Sequence, residues 1–348
     1  MDHQELLVSR EGRLGRIRLN RPEALNSLTL EMVRAFTLAL DSFDKDADTA
    51  AVLVTGEGAR AFCAGGDIRA LYDAQNSDKS AYKEFWREEY RLNARIAAFR
   101  KPYVALMDGF VMGGGVGVSA HGNRRVVTER TRLAMPETGI GFIPDVGGTW
   151  LLTRRDGVGL YMALSGVAVS AADALHAGLA NAMIASARIP DFIDRLAAIS
   201  AAQDVDEILR DLAVAPDEGE LERHKESLDR ALAGDRIEDV LCALDACGSV
   251  FARNAAAEIR RKSPTSVKVT HALLKRALMT DRLETCLLNE YRAACGLLKG
   301  HDLYEGIRAA IVEKDRSPLW RPATLADVSD GVVEEILRGT GDPDPVFD

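Results

Sequence analysis

Residues 101–117 read KPYVALMDGFVMGGGVG and contain the pattern on which the fold prediction rests. The mostly apolar run at 103–107 predicts a buried strand, and the glycine-rich stretch at 109–117 predicts a loop that runs into a short helix. The same order occurs once before, since AVLVT at 51–55 is followed by AFCAGGD at 61–67 and then by a polar helical stretch. Strands that alternate with helices in this way predict an α/β core.

Weaker patterns extend this core in both directions. They predict strands at 6–9, 16–19, 124–128 and 132–135, and helices at 30–43 and near Thr149. Beyond about residue 155 the pattern is helix after helix, with alanine-rich stretches such as 171–185 and a proline, Pro264, in a typical helix-start position. We therefore expect a core at 1–200 and a helical region at 201–348, with a soft boundary between them.

The composition limits the kind of protein that this chain can be. It has 348 residues, 47% of them hydrophobic, with 53 acidic against 44 basic side chains and a net charge of −9. This acidic balance opposes binding to nucleic acid or to an anionic membrane, and no apolar run approaches the roughly 18 residues of a membrane span. We expect neither kind of partner, whereas a homo-oligomer is compatible with the sequence.

Cysteine and histidine usage predicts the compartment and the absence of a metal. The five cysteines include no CxxC pair, the six histidines form no cluster at ligand spacing, and the first twenty residues lack a secretory leader pattern. We therefore expect reduced thiols, a cytoplasmic location, no metal ion and no redox cofactor. Cys63 lies beside the first glycine-rich loop, but no histidine near it in sequence could activate it.

The two glycine-rich loops have more than one interpretation. Glycine lets a ligand approach the main chain, so consecutive N–H groups can point at one anionic atom, as in an oxyanion hole. Alternatively, the glycines only allow tight turns and close packing. A third interpretation is a dinucleotide fingerprint, because Gly115, Gly117 and Ala120 match G-x-G-x-x-A with Glu137 about twenty residues on. Its tight turn should follow the strand directly, whereas seven residues separate Met107 from Gly115.

The segment MPETGIGFIPDVGG at 135–148 places two carboxylates, Glu137 and Asp145, eight positions apart around an apolar stretch. Carboxyl groups among apolar neighbours can have raised pKa values and serve as general acids or bases. The alternative is that both are ordinary surface acids and that Asp145 caps the helix after Gly148.

Taken together, these motifs resemble the crotonase (enoyl-CoA hydratase/isomerase) superfamily over about residues 5–200. LNRPEALNSL, FCAGGDI, KPYVALMDGFVMGGG and MPETGIGFIPDVGG occur in the family's order. The resemblance implies a spiral of strand-strand-helix turns that binds acyl-CoA, with the amides of Gly66 and Gly114 holding the thioester oxygen. It also implies substrate contacts, toward the adenine end of coenzyme A, from Ala64, Gly65, Asp67 and Ile68.

One departure from the family pattern narrows the range of reactions that the chain could catalyse. A hydratase of this family uses two glutamates, and the position of the first is Gly117 here, while the second is Glu137. Asp145 stands where many hydratases have a small residue. Three stretches are similar to the 3-hydroxyisobutyryl-CoA hydrolase branch of the family: MPETGIGFIPDVGG at 135–148, WREEY at 86–90 and GHDLYEGIRAAIVEKDRSPLWRPATL at 300–325. In that branch a glutamate matching Glu89 lines the substrate site.

The resemblance implies that the chain is an enzyme that hydrolyses a 3-hydroxyacyl-CoA thioester, such as 3-hydroxyisobutyryl-CoA in valine breakdown. Glu137 and Asp145 would be the catalytic pair, with Glu137 acting either as general base or as nucleophile. Coenzyme A would enter as part of the substrate, so no separate cofactor is implied. The alternatives are an enoyl-CoA hydratase or isomerase, and a binding relative that has lost catalysis.

Overall fold

A computed structural model of the chain describes residues 4–75, 79–154 and 156–347. Within that part, contacts group into two compact units. Unit 1 comprises 1–66, 91–133 and 169–219, and unit 2 comprises 67–90, 134–168 and 220–348. No helix among the described residues is long and apolar enough to cross a membrane.

The elements of the described chain follow one another as a mixed α/β sequence that ends in helices. The strands are β1 (Leu6–Glu11), β2 (Leu14–Leu19), β3 (Ala51–Gly56), β4 (Ala61–Cys63), β5 (Tyr103–Met107), β6 (Phe110–Met112), β7 (Arg124–Val127), β8 (Arg132–Ala134) and β9 (Ala182–Met183). The helices of the first two hundred residues are α1 (Leu30–Lys45), α2 (Ile68–Asp73), α3 (Ser80–Ala97), α4 (Gly114–Gly117), α5 (Gly148–Leu152), α6 (Asp156–Ser165), α7 (Ala171–His176) and α8 (Ile189–Ala197).

The later part of the described chain is helical. Its helices are α9 (Asp204–Leu212), α10 (Glu220–Ala231), α11 (Ile237–Ala246), α12 (Val250–Arg260), α13 (Pro264–Leu278), α14 (Leu283–Leu297), α15 (Asp302–Ile307) and α16 (Asp330–Arg338). A π-helical turn at Arg308–Val312 continues α15, and a 3-10 turn at Glu137–Ile140 precedes α5. The predicted α/β class with a helical C-terminal part is confirmed.

Unit 1 is built on a sheet with the strand order β1-β2-β3-β5-β7-β9, in which β1 and β2 are antiparallel and the other pairs parallel. Buried side chains of this sheet, such as Leu53 and Val104, pack against Phe192 and Leu196 of α8 and Leu209 of α9. A smaller sheet has the order β4-β6-β8. Because parallel strands end at the same edge, the glycine-rich loops after β4 and β6 follow neighbouring strands.

Local signals in the sequence explain several element boundaries. The hydroxyl oxygen of Thr29 accepts a 3.2 Å hydrogen bond from the N–H of Met32 and so caps α1. Likewise Ser263 caps α13, whose first residue is Pro264 as predicted. The alanine-rich stretch at 171–185 is helical over α7 alone, because Gly178 follows at φ 71° and the chain then enters β9.

The grouping of contacts does not follow the predicted division at residue 200. Unit 1 ends at 219, and unit 2 takes two segments, 67–90 and 134–168, from the first half of the chain. The reason is that α5 and α6, which lie in the first half, pack against α10 and α13 of the same unit. The two predicted parts, 1–200 and 201–348, therefore describe the order of strands and helices along the chain, and they differ from the two compact units.

Candidate active site

In unit 1 the two glycine-rich loops meet. A Cβ atom built on Gly65, which has φ 103°, would lie 3.6 Å from the amide nitrogen of Gly114 and 3.3 Å from the carbonyl oxygen of Met112. The carbonyl oxygen of Gly65 accepts a 2.8 Å hydrogen bond from Leu28, but the N–H groups of Gly66 and Gly114 have no acceptor among the described residues. Unit 1 therefore presents two unpaired amide donors on adjoining loops. Their binding of one thioester oxygen stays a prediction.

Close packing accounts for another glycine of the second loop. A Cβ atom on Gly115 would lie 2.2 Å from the carbonyl oxygen of Cys63, far inside van der Waals contact. Gly115 is thus required because α4 lies directly on β4. The dinucleotide interpretation is wrong, since β6 intervenes between β5 and the fingerprint glycines, and α4 spans only Gly114–Gly117.

In unit 2 the predicted carboxylates are buried together. The exposed fractions of Glu89, Glu137 and Asp145 are 2%, 6% and 5%. Glu89 lies on α3, Glu137 opens the 3-10 turn, and Asp145 follows Pro144 in the loop before α5. The three carboxyl groups repel one another when charged, and the charge of Asp145 raises the pKa of both glutamates. The interpretation of Glu137 and Asp145 as ordinary surface acids is wrong.

Asp145 has one specific side-chain partner. Its Oδ2 atom accepts a 2.7 Å hydrogen bond from the hydroxyl of Tyr90, which is fully buried on α3. Burial raises the pKa of Asp145 to about 7, against the opposing effect of the Tyr90 hydrogen bond. Burial and the nearby Asp145 raise the pKa of Tyr90 well above its ordinary value, so Tyr90 keeps its proton and donates. Asp145 can therefore change its protonation state near neutral pH.

The two glutamates have unused oxygen atoms. Burial and the charge of Asp145 raise the pKa of both Glu89 and Glu137 well above the ordinary value of a glutamate. Oε1 of Glu89 and Oε2 of Glu137 are buried without a hydrogen-bond partner among the described residues. A buried oxygen without a partner is costly in a folded protein and is typical of functional sites. Unit 2 thus holds a buried group of carboxyl side chains that could carry out acid/base chemistry.

The remaining sequence-predicted residues lie along the first loop. The N–H of Ala64 donates a 3.0 Å hydrogen bond to the carbonyl of Leu25 in unit 1. In unit 2, Asp67 caps α2 by accepting a 3.3 Å hydrogen bond from the N–H of Ala70. Ile68 is the first residue of that helix and half-buried. The contacts that Ala64, Gly65, Asp67 and Ile68 make with substrate stay predictions.

Two predicted absences concern nucleophiles and metals. Cys63 is fully buried, and its Sγ atom lies 3.8 Å from the carbonyl oxygen of Gly65, the environment of a structural thiol. No group of three or more His, Cys, Asp or Glu side chains in residues 4–75, 79–154 and 156–347 is arranged to hold a metal ion. That the protein needs no metal or cofactor stays a prediction.

Sequence reasoning missed two buried residues of unit 2, Tyr90 and Glu290. Tyr90 was present in the WREEY motif, but only its neighbour Glu89 was singled out. Glu290 is fully buried on α14, more than 140 positions from the loop at 145–149 that it contacts. The available signal was the single acid in the mostly apolar stretch LLNEYRAACGLL at 287–298, which suggests a buried charge with a partner.

Comparisons with known proteins show the family and the fold of the chain. The model of the enoyl-CoA hydratase/isomerase family matches residues 14–337. Among curated relatives, the mitochondrial 3-hydroxyisobutyryl-CoA hydrolase of Rattus norvegicus is 39% identical over 99% of this chain and 91% of its own length. The corresponding protein of Homo sapiens is 36% identical with the same coverage.

Two solved structures are similar over the full chain. One is described as a carnitinyl-CoA dehydratase from Mycobacterium thermoresistibile, with a TM-score of 0.94, 44% identity and 99% coverage of both chains. The other is an enoyl-CoA hydratase from Rhodobacter sphaeroides, with a TM-score of 0.90, 38% identity, and coverage of 99% of this chain and 100% of its own. The crotonase-type fold predicted from the sequence is thereby confirmed.

The prediction of a cytoplasmic location is contradicted. The curated relatives from Rattus norvegicus, Danio rerio and Gallus gallus are all mitochondrial proteins. Five free cysteines and a polar first stretch of sequence are features that proteins of the cytoplasm share with those of the mitochondrion. These two observations therefore could not separate the compartments.

Proposed function

Since the chain belongs to the enoyl-CoA hydratase/isomerase family, we propose that it hydrolyses the thioester of a 3-hydroxyacyl-CoA, with 3-hydroxyisobutyryl-CoA as the expected substrate. The expected likeness to the 3-hydroxyisobutyryl-CoA hydrolase branch is confirmed by full-length relatives at 36–39% identity. The observation that carries the proposal is the buried pair of Asp145 and Glu137 in a chain that has Gly117 in place of the hydratase acid.

In this proposal, unit 1 binds the carbonyl group of the thioester. In the proposal, the N–H groups of Gly66 and Gly114 donate to the carbonyl oxygen and stabilise the negative charge that develops there as water attacks. Both donors are main-chain groups on adjoining loops and have no acceptor among the described residues, which supports the assignment. Loss of one such donor typically lowers kcat by about 10²- to 10³-fold.

In this proposal, unit 2 activates the water and binds the acyl group. Glu137 takes a proton from water as the oxygen attacks the thioester carbon. The tetrahedral intermediate then collapses with departure of the coenzyme A thiolate, which takes the proton back from Glu137 and leaves it ready for the next turnover. Burial and the charge of Asp145 raise the pKa of Glu137, which supports a role in proton transfer, because perturbed pKa values are typical of acid/base groups at functional sites. Asp145, which Tyr90 holds, orients the water or binds the 3-hydroxyl group, and Glu89 lines the acyl site. The products are a 3-hydroxy acid and free coenzyme A, as a step of valine breakdown requires.

Hydration of an enoyl-CoA is the second candidate, because solved relatives are described as a hydratase and a dehydratase. Addition of water across a double bond in this family requires a second acid, which by resemblance would occupy position 117. Gly117 lies on α4 and has no side chain that could act there. Asp145 instead supplies a second carboxyl group, in a different segment. Gly117 and Asp145 together favour hydrolysis over hydration.

Three thioesters separate the candidate functions. The purified protein is mixed with 3-hydroxyisobutyryl-CoA, 3-hydroxypropionyl-CoA or crotonyl-CoA, and free thiol is measured with a chromogenic disulfide. We expect thiol release from the hydroxyacyl thioesters and none above background from crotonyl-CoA. Loss of the enoyl absorbance of crotonyl-CoA, without thiol release from either hydroxyacyl thioester, would contradict hydrolysis and support a hydratase. Inactivity on all three would support a binding relative.

A further inference from the structure

Asp145 begins a sharp and strained turn. Its carbonyl oxygen accepts a 2.6 Å hydrogen bond from the N–H of Gly148, and the two residues between them have positive φ angles, 53° at Val146 and 78° at Gly147. Two central residues with positive φ are typical of a type I′ turn, in which glycine and asparagine are favoured. A β-branched residue such as Val146 is a rare outlier there. Such backbone persists only where the surroundings hold it.

Glu290 of α14 provides that support. Its Oε2 atom accepts a 2.7 Å hydrogen bond from the N–H of Gly147, and its Oε1 atom accepts bonds of 2.9 Å from the N–H and 2.5 Å from the hydroxyl of Thr149. These are the donors at the start of α5, where no side chain of the loop itself forms a cap. A carboxylate from a distant helix therefore caps α5 and fixes the turn at Asp145.

The bonding pattern requires an acceptor at both oxygens of Glu290. Burial raises the pKa of Glu290 to about 8, while its bonds to Thr149 and Gly147 favour the charged form. A glutamine in its place would direct an NH₂ group at a donor, since an amide has one acceptor oxygen against the two of a carboxylate. One of the three bonds would be replaced by a repulsive contact between donors.

We infer that Glu290 is a positioning residue for hydrolysis, which holds the turn at 145–148 so that the Asp145 carboxyl stays against Tyr90. This role rests on the proposed function, in which Asp145 orients water or the 3-hydroxyl group. Glu290 acts through the backbone of Gly147 and Thr149 and takes no part in proton transfer to substrate. Asp145 is thus fixed from two directions, at its side chain by Tyr90 and at its backbone by Glu290.

Three variants of unequal severity test the inference. In Glu290→Gln we expect kcat to fall by about 10²-fold with KM within about threefold of wild type, because a displaced catalytic group slows the chemical step more than binding. Hydrogen exchange at the amides of Gly147 and Thr149 should become at least tenfold faster. Thr149→Val, which removes the hydroxyl donor alone, should lower kcat less, and Thr149→Ser should restore it.

Glu284→Gln is the matched control, because Glu284 lies on the same helix, is only half-buried and pairs with Arg282 at the surface. Wild-type values are expected for it in both assays. A wild-type kcat in Glu290→Gln would overturn the inference, and so would faster exchange spread evenly over α14 with a matching loss of Tm. If the wild-type protein releases no thiol, the proposed function fails, whereas the exchange at residues 147 and 149 still decides whether Glu290 holds the turn.

Discussion

The hydroxyl of Tyr90 donates a 2.7 Å hydrogen bond to Oδ2 of Asp145, and both side chains are buried in unit 2. Burial raises the pKa of Asp145 to about 7, and the hydrogen bond limits that rise by favouring the carboxylate. Tyr90 therefore keeps a larger fraction of Asp145 ionised at neutral pH than burial alone would allow. This relationship leads to a pH-dependent prediction.

In Tyr90→Phe we expect the acid limb of the pH–rate profile to move to higher pH. Removal of a donor to a charged group costs about 1.5–3 kcal/mol, and 1.36 kcal/mol corresponds to one pKa unit. The pKa of Asp145 should thus rise by about one to two units, and activity near pH 7 should fall. An unmoved acid limb would show that ionisation of Asp145 does not limit the rate. Tyr161→Phe, a buried tyrosine of unit 2 beside Phe251, serves as control.

In Glu137→Gln we expect thioester hydrolysis to fall by about 10²- to 10⁴-fold, the usual contribution of a positioned general base. Affinity for coenzyme A, measured by calorimetry, should remain within about twofold, because the carboxyl group acts at the acyl end alone. Glu226→Gln, which alters an exposed glutamate of α10, should match wild type in both measurements. A wild-type rate in Glu137→Gln would make Glu137 a structural residue.

Asp145→Asn should become more stable relative to wild type as the pH rises. The pKa of Asp145 is about 7 in the folded protein against an ordinary 3.8, so the folded state favours the protonated form. That contribution is fully present below about pH 3.8 and is lost as the pH rises through about 7. Asparagine does not ionise, so the Tm difference between variant and wild type should grow in favour of the variant, on the order of 2 °C, between pH 6 and pH 9.

Thermal melts of both proteins at each pH provide the check, with Glu226→Gln as the exposed control. If the Tm difference between Asp145→Asn and wild type is the same at both pH values, Asp145 does not titrate as the structure indicates.

Gly115→Ala should disturb the amide pair of unit 1. A methyl group at 115 would fall 2.2 Å from the carbonyl oxygen of Cys63, so α4 and β4 must move apart. We expect kcat/KM to fall by about 10²-fold, because displaced oxyanion donors lose most of their effect, together with about 1–3 kcal/mol of stability. Gly331→Ala is the control, since a Cβ atom there would meet nothing closer than 3.8 Å. Retained activity in Gly115→Ala would argue against Gly114 as an oxyanion donor.

The sequence was sufficient for features that depend on neighbouring residues. The strands β1 and β2, the buried strands β3 and β5, and the helix start at Pro264 all follow from local periodicity and turn chemistry. Glu137 and Asp145 could be found because they lie in one short motif. Each signal lies within about fifteen residues of the feature it predicts.

Features that depend on distant contacts could not be predicted. Glu290 bonds to Gly147 and Thr149 across more than 140 positions, and no local pattern indicates that pairing. The strain at Val146 likewise follows from the fold, since valine ordinarily avoids positive φ. The compact units combine segments from both halves of the chain for the same reason.

The most direct test of hydrolysis is the fate of water oxygen during many turnovers of 3-hydroxyisobutyryl-CoA in water enriched in ¹⁸O. We expect one labelled oxygen in the carboxylate of the released acid and one free thiol for each acid formed. This pattern holds whether water attacks the thioester or a Glu137 anhydride. Label in the 3-hydroxyl group of intact thioester, without free thiol, would contradict the account, because it would mean that the protein removes and adds water at the acyl chain.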